Sequence, residues 1–298
     1  MHAGQHTVSL ESVRAMVRRQ FPQWRSLPVR PVESGGTVNW TFRLGEELAV
    51  RLPMLGTDPI AVQAELENEA SAMAEFASNC PFPCPESVEI GAPDTHYPLP
   101  WSVQTWVVGA DAVANDASNS IPFAVDLAAL IGSLRRTGVA GRTYDGSGRG
   151  GHLPDHDAWM DECFYESVDL LDVPILRALW ADLRTLPRVD SDVMSHRDIT
   201  PPNVLVGQGR LTGVLDTGGF APADPALDLV AGWHLLSATP RDVFRSELAT
   251  FDNQWLRGMA WAFQQAMGLV WYYRLSNPPM SQWGNRTLDR IVAAAASW

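Results

Sequence analysis

Hydrophobic periodicity changes character once along this chain of 298 residues, at Gly109. Ahead of that point, short runs of alternating apolar and polar residues are divided by turns, the pattern of half-buried strands. Three such runs, 29–33, 38–44 and 48–52, are separated by Ser34-Gly35-Gly36 and Gly45-Glu46-Glu47. A long helix rich in Ala and Glu is expected over 60–78, then two more strands near 87–90 and 101–108. A leading amphipathic helix is expected over 9–21, capped by Ser9, with Leu10, Val13, Val17 and Phe21 near one face. After Gly109 helical spacing dominates, at 123–136, 156–171 and 174–185 and again from Asp224 onward, with a break near Asn277-Pro278-Pro279. A polar loop at 111–121, a glycine-rich stretch at 141–151 and strand-like pieces at 193–195, 204–206 and 211–215 interrupt it. The expected class is α+β and bilobal: a small sheet-rich lobe over residues 1–107 and a larger helical lobe over 108–298.

Charge and composition narrow the chemistry. The formal charge is -12, so anionic polymers and membrane surfaces are poor partners and cationic ones better. No nucleic-acid or membrane partner is expected, and no apolar leader or spanning run is seen, so the expected location is the cytoplasm. All 22 basic residues are arginine. Without lysine there is no Schiff-base or P-loop-lysine chemistry, and any phosphate clamp must be a guanidinium. Cys80, Cys84 and Cys163 are too few for a zinc cage and read as reduced thiols.

The informative segment is Ser195-His196-Arg197-Asp198-Ile199-Thr200-Pro201-Pro202-Asn203, followed by Val214-Leu215-Asp216-Thr217-Gly218-Gly219. Asp198 and Asn203 share one tight, proline-bound loop, and Asp216 sits on a turn after an apolar strand. Oxygen donors of this kind suit Mg²⁺, which takes one or two carboxylates together with substrate phosphates. His-Arg-Asp, four residues, Asn, then Asp-x-Gly resembles the catalytic and metal loops of the protein-kinase-like superfamily. Ala223-Asp224-Pro225-Ala226-Leu227-Asp228-Leu229 and Val50-Arg51-Leu52-Pro53 point to one branch, the aminoglycoside and small-molecule phosphotransferases. The chain departs from that branch in having Arg197 where most members have glycine, and Thr217 where an aromatic is common.

The resemblance implies a bilobal protein-kinase-like fold with a small antiparallel-sheet N-lobe for nucleotide and a larger helical C-lobe for catalysis and substrate. It implies transfer of the γ-phosphate of ATP or GTP to a hydroxyl of a small molecule, an aminoglycoside-type or other antibiotic before a metabolite such as an amino alcohol, sugar or nucleoside. Asp198 is then the catalytic residue, Asn203 and Asp216 hold Mg²⁺, and Arg51 reaches the nucleotide phosphates. Glu69 is its implied helix partner, with Glu65 and Glu67 as competitors. Backbone groups of Thr105, Trp106 and Val107 are expected at the base edge. Asp228 and His196 are expected to brace the loop rather than react, and most of the 12 tryptophans to be core. Asp155, Asp157, Asp161 and Glu162 are either a solvated helix start or a seat for substrate ammonium groups. A protein kinase fits poorly, because no Ala-Pro-Glu segment follows Asp216 and only residues 217–223 separate it from Asp224. A catalytically dead nucleotide-binding module is opposed by the presence of all three of Asp198, Asn203 and Asp216.

Overall fold

A computed structural model describes residues 5–32 and 38–296, so the expected turn at 34–36 and the end of the first strand run lie outside the described residues. The chain forms two compact units. One takes in residues up to Ser78, Pro83–Val108 and Leu215–Gly219; the other takes in Asn79–Phe82, Gly109–Val214 and Phe220 onward.

The first unit opens with α1 (Leu10–Gln20), where Ser9 Oγ accepts from the Ser12 N–H at 3.1 Å, with Glu11 in the first turn and Arg18 and Arg19 in the last. That arrangement caps the open donors and complements the helix dipole. Five antiparallel strands follow: β1 (Val29–Pro31), β2 (Asn39–Leu44), β3 (Leu48–Pro53), β4 (Ser87–Gly91) and β5 (Trp101–Thr105), in the order β1-β2-β3-β5-β4. Strand alternation sends Val50 and Leu52 into a core shared with Val13, Met16 and Val17 of α1 and with Trp101. Burying each such aliphatic side chain contributes about 1.5–3 kcal/mol. Between β3 and β4 runs α2 (Pro59–Asn79), whose buried residues Val62, Leu66, Met73 and Phe76 fall on one helical stripe.

The second unit is mainly helical: α3 (Ile121–Arg136), α4 (Asp157–Glu166), α5 (Val173–Leu183), α6 (Val230–Leu235), α7 (Ala238–Glu247), α8 (Asp252–Tyr272) and α9 (Pro278–Ala295). α8 is buried along most of its length, with Met259, Trp261, Phe263 and Met267 fully enclosed. Its Arg257 meets Asp224 in a buried pair, Nε to Oδ2 at 3.0 Å and Nη2 at 2.5 Å, and the Trp261 indole donates to the same oxygen at 3.2 Å. Nearby in sequence, His234 of α6 lies wholly inside, bonded to Gln265 at 2.8 Å and Thr287 at 3.0 Å, with the Trp283 indole donating to its Nδ1 at 3.1 Å. Two small sheets complete the unit. β6 (Ala110–Asp111), β8 (Val204–Gly207) and β9 (Arg210–Val214) pair in the order β6-β8-β9, and β7 (Val193–Ser195) pairs with β10 (Ala221–Ala223).

The expected helix over 156–171 ends earlier, at Glu166, and the first residue of the expected loop at 111–121, Asp111, is the second residue of β6. Strand segments this short carry no readable alternation. Cys163 is buried, and burial pushes its thiol up to about 11. Among the described residues, no helix is long and apolar enough to cross a membrane.

Candidate active site

In the second unit, β7 ends at Ser195 and the chain turns sharply through His196 and Arg197. The turn hangs on one buried carboxylate. Asp228 accepts from Ser195 Oγ at 2.8 Å and from the backbone N–H groups of His196 and Arg197, each at 3.0 Å. Three donors converging on one carboxylate offset the cost of burying its charge. His196 is buried too, and its Nδ1 accepts from the Asp198 N–H at 3.2 Å. Both residues therefore brace the loop. Arg197 stands in the left-handed region, at φ 72°, which disfavours any residue with a Cβ.

The brace presents Asp198. Its Oδ2 accepts from Asn203 Nδ2 at 2.8 Å, and its backbone carbonyl accepts from the same nitrogen at 3.0 Å. The amide thus fixes the carboxylate and leaves Asn203 Oδ1 without a donor among the described residues. Asp198 Oδ1 lies 3.2 Å from Arg149 Nη2, a partner the sequence did not suggest.

In the first unit, Arg51 of β3 points away from Val50 and Leu52 as alternation requires, and is largely covered. Its Nη2 lies 3.2 Å from Asp216 Oδ1, and its Nη1 donates to Gln104 at 3.4 Å. Glu69 forms no ion pair with it, so the direct partner of Arg51 is Asp216. Burial pushes the Glu69 carboxyl above its usual range, with the Arg51 charge opposing and the Asp216 and Glu65 charges adding. The three groups nonetheless share one neighbourhood. Asp216 takes φ 57°, and at Gly218 an added Cβ would lie 3.1 Å from Glu69 Cγ. A side chain at residue 218 would press on Glu69, so glycine there suits the close approach of this turn to α2. Among the candidates on α2, Glu69 falls on the stripe of Val62, Leu66, Met73 and Phe76, whereas Glu65 and Glu67 are exposed.

At the end of β5 the expected base-edge groups divide. The Thr105 N–H donates to Glu86 O at 2.9 Å and the Trp106 N–H to Glu47 O at 2.7 Å. Arg43 lies over the Trp106 ring, 4.9 Å from its centroid. Among the described residues the Val107 N–H has no such acceptor, so it alone of the three keeps an uncommitted donor.

The oxygen donors suit a hard divalent cation. In the second unit Asn203 Oδ1 has no donor among the described residues; in the first, the Asp216 carboxylate is half exposed, with Oδ1 toward Arg51. Among the described residues no three His, Cys, Asp or Glu side chains gather into a metal cage. A nucleotide-borne Mg²⁺ does not need one.

The sequence model of a phosphotransferase enzyme family, APH, matches residues 28–265, most of the chain. The chain belongs to the phosphotransferase enzyme family. No curated protein matches it in sequence. Among solved structures, the GDP complex of wild-type aminoglycoside 2'-phosphotransferase-IIIa is similar, with a TM-score of 0.71 and 19% identity over 96% of this chain and 99% of that one. Macrolide 2'-phosphotransferase MphH from Brachybacterium faecium follows with a TM-score of 0.62 and 17% identity over 94% and 97%. A gentamicin complex of APH(2")-IIa gives 0.60 and 14% over 95% and 97%. Likeness at such identities shows the fold: α+β, bilobal and protein-kinase-like.

In this phosphotransferase the acidic residues at the start of α4 are largely spent. Asp157 is held by Arg184 and the Trp180 indole, the arginine bond chiefly keeping its carboxyl below the usual range. Asp161 pairs with Arg177 at 2.6 Å, and Asp155 lies 3.4 Å from His152. The glycine-rich stretch at 141–151, which sequence reasoning left without a role, supplies Arg149. The usable signal was an arginine flanked by glycines in a chain that has no other kind of basic residue.

Proposed function

We propose that this phosphotransferase moves the γ-phosphate of ATP or GTP to a hydroxyl of a small molecule, with an aminoglycoside-type or other antibiotic as the first candidate acceptor. The observation that carries the reading is the fixed carboxylate of Asp198, held by Asn203 at 2.8 Å on a loop braced by Asp228. In this reading Asp198 orients the acceptor hydroxyl and takes its proton. Because phosphoryl transfer has a loose transition state, a well-aimed carboxylate matters more than a strong base. Asn203 and Asp216 hold Mg²⁺, which neutralises phosphate charge when bound. Arg51 binds phosphate oxygens, Glu69 sits beside it, and the base edge meets the Val107 N–H at a strand end built by Thr105 and Trp106. Residues 1–107 would serve as the nucleotide lobe and 108–298 as the catalytic and acceptor lobe, in the cytoplasm. The GDP and kanamycin found with an APH(2")-IIIa structure support both a nucleotide donor and a hydroxylated acceptor.

One observation favours a second reading, a metabolite kinase. Asp157 and Asp161 are already neutralised by arginines, so a polycationic acceptor would have to displace them. The test is nucleotide consumption with ATP and with GTP, stimulated by aminoglycosides, macrolides, amino alcohols, sugars and nucleosides in turn. Stimulation by one class assigns the acceptor. Nucleotide binding without consumption in any mixture would sink phosphotransfer and leave a binding module.

A further inference from the structure

Resting on that reading, we propose that Arg149 binds the phosphoryl group as it arrives on the acceptor oxygen, and that residues 144–150 form a strap that delivers it. In the transfer, the bond between the γ-phosphorus and the β,γ-bridging oxygen breaks and a bond from phosphorus to the acceptor oxygen forms. The nucleoside diphosphate keeps the bridging oxygen's electron pair, and the acceptor proton passes to Asp198. Until that proton has passed, the arriving phosphoryl oxygens lie beside the ionised carboxylate of Asp198, and two anions side by side repel. A cation shared between them removes the repulsion, and in a chain with no lysine the permanently charged side chain that can supply it is an arginine.

Arg149 is placed for that task. Its Nη2 lies 3.2 Å from Asp198 Oδ1, while Nε and Nη1 have no partner among the described residues. A guanidinium offers five donors, so one contact to Asp198 leaves a fork for phosphate oxygens. Its side chain is 35% exposed and that of Asp198 38%, so a small molecule can reach both.

The strap is held from several sides. Arg197 Nη2 donates to Ser147 O and, at 3.5 Å, to Arg149 O; it lies 3.8 Å from Asp145 Oδ1, and the guanidinium sits 5.7 Å from the Tyr144 ring centroid. The Tyr144 hydroxyl donates to Gly148 O at 2.7 Å, and its N–H to Asp192 Oδ2 at 2.8 Å. The Asp224 N–H donates to Gly150 O at 2.8 Å. Gly150 itself, at φ 110°, sits where a Cβ would come within 2.7 Å of Ala223 Cβ. The left-handed backbone at Arg197 would suit glycine better. What arginine adds there is its grip on the strap.

The experiment compares wild type, Arg149→Gln, Arg149→Lys, Arg197→Gly and Asp198→Ala. ATP and GTP are the donors; water, kanamycin and the best acceptor from the screen above are the acceptors. Turnover in Arg149→Gln should fall about 10²–10³-fold, the typical loss of one donor to developing charge, with the nucleotide KM nearly unchanged and partial recovery in Arg149→Lys. Arg197→Gly should lose turnover in the same direction, speed amide exchange over 144–150, and melt no lower than wild type. Arg149→Gln turning over at or above the wild-type rate while Asp198→Ala is inactive would overturn the role of Arg149 alone; a faster variant would make Arg149 a restraint on Asp198. Unchanged exchange over 144–150 in Arg197→Gly would overturn the strap. A wild type that binds nucleotide yet transfers to no acceptor would overturn phosphotransfer, and this role with it.

Discussion

Asp198 and Arg51 carry the most exposed expectations at the scale of single residues. Asp198→Ala should lower turnover by about 10²–10⁴-fold while nucleotide binding, read by calorimetry, persists. Near-normal turnover would remove Asp198 from the chemistry. Arg51 lies 3.2 Å from Asp216 and is largely covered, so its planar fork is held in one orientation. Arg51→Lys keeps the charge and loses the fork, and should raise the nucleotide KM; Arg51→Met should raise it further. Unchanged constants in Arg51→Met would make it an ordinary strand arginine. That Asp198 and Asn203 meet on one tight loop was legible from their spacing and the flanking prolines. The direct partner of Arg51 was not, because the distance in sequence from β3 to Asp216 hides a contact that only folding makes. Arg149 was hidden for the same reason, and glycines on both sides gave no periodicity to place it.

At the scale of elements, α8 is tied to the turn before α6 by the Arg257–Asp224 pair, both side chains 3% exposed. Removing one partner strands the other charge in a dry interior. Arg257→Met should cost about 3–5 kcal/mol in urea unfolding, and replacing both partners with apolar residues should cost less than the sum of the two single changes. A loss under about 1 kcal/mol for Arg257→Met would mean that water reaches Asp224. The helices and the longer strands were legible from periodicity, since α1, α2 and the sheet strands each show one apolar face to one core. The apolar spacing of α2 also places Glu69 on its partly covered face, in line with Leu66 and Met73. β6 and β10, of two and three residues, were not legible. Their pairing comes from tertiary context, as does the early end of α4.

For the whole molecule, acidity is the informative variable. His234 is fully enclosed, and burial chiefly lowers its imidazole from the usual 6.5 to about 3. Above pH 6.5 it is neutral whether the chain is folded or not, and its contribution is fully present. As pH falls from about 6.5 toward about 3, the unfolded chain takes up a proton that the folded one refuses, and stability is lost at up to about 1.4 kcal/mol per pH unit. His234→Gln should flatten that slope between pH 6 and 4 relative to wild type, measured by denaturant midpoints. Identical slopes would mean the folded imidazole accepts its proton after all. The bilobal α+β class was legible from the change of periodicity at Gly109. The inclusion of Leu215–Gly219 in the first unit was not, because cutting the chain at one point in sequence cannot show a later segment returning.

Arg197 holds a backbone conformation that glycine would hold at less cost, and its side chain is spent on a neighbouring segment. Selection for heat tolerance and selection for catalysis should therefore pull this one position in opposite directions. In a library randomised at residue 197, heat challenge alone should enrich glycine, whereas growth that depends on the enzyme's product should retain arginine. Sequences recovered from the two regimes would record, in a single codon, how much thermal tolerance the protein forgoes to keep its catalytic loop occupied.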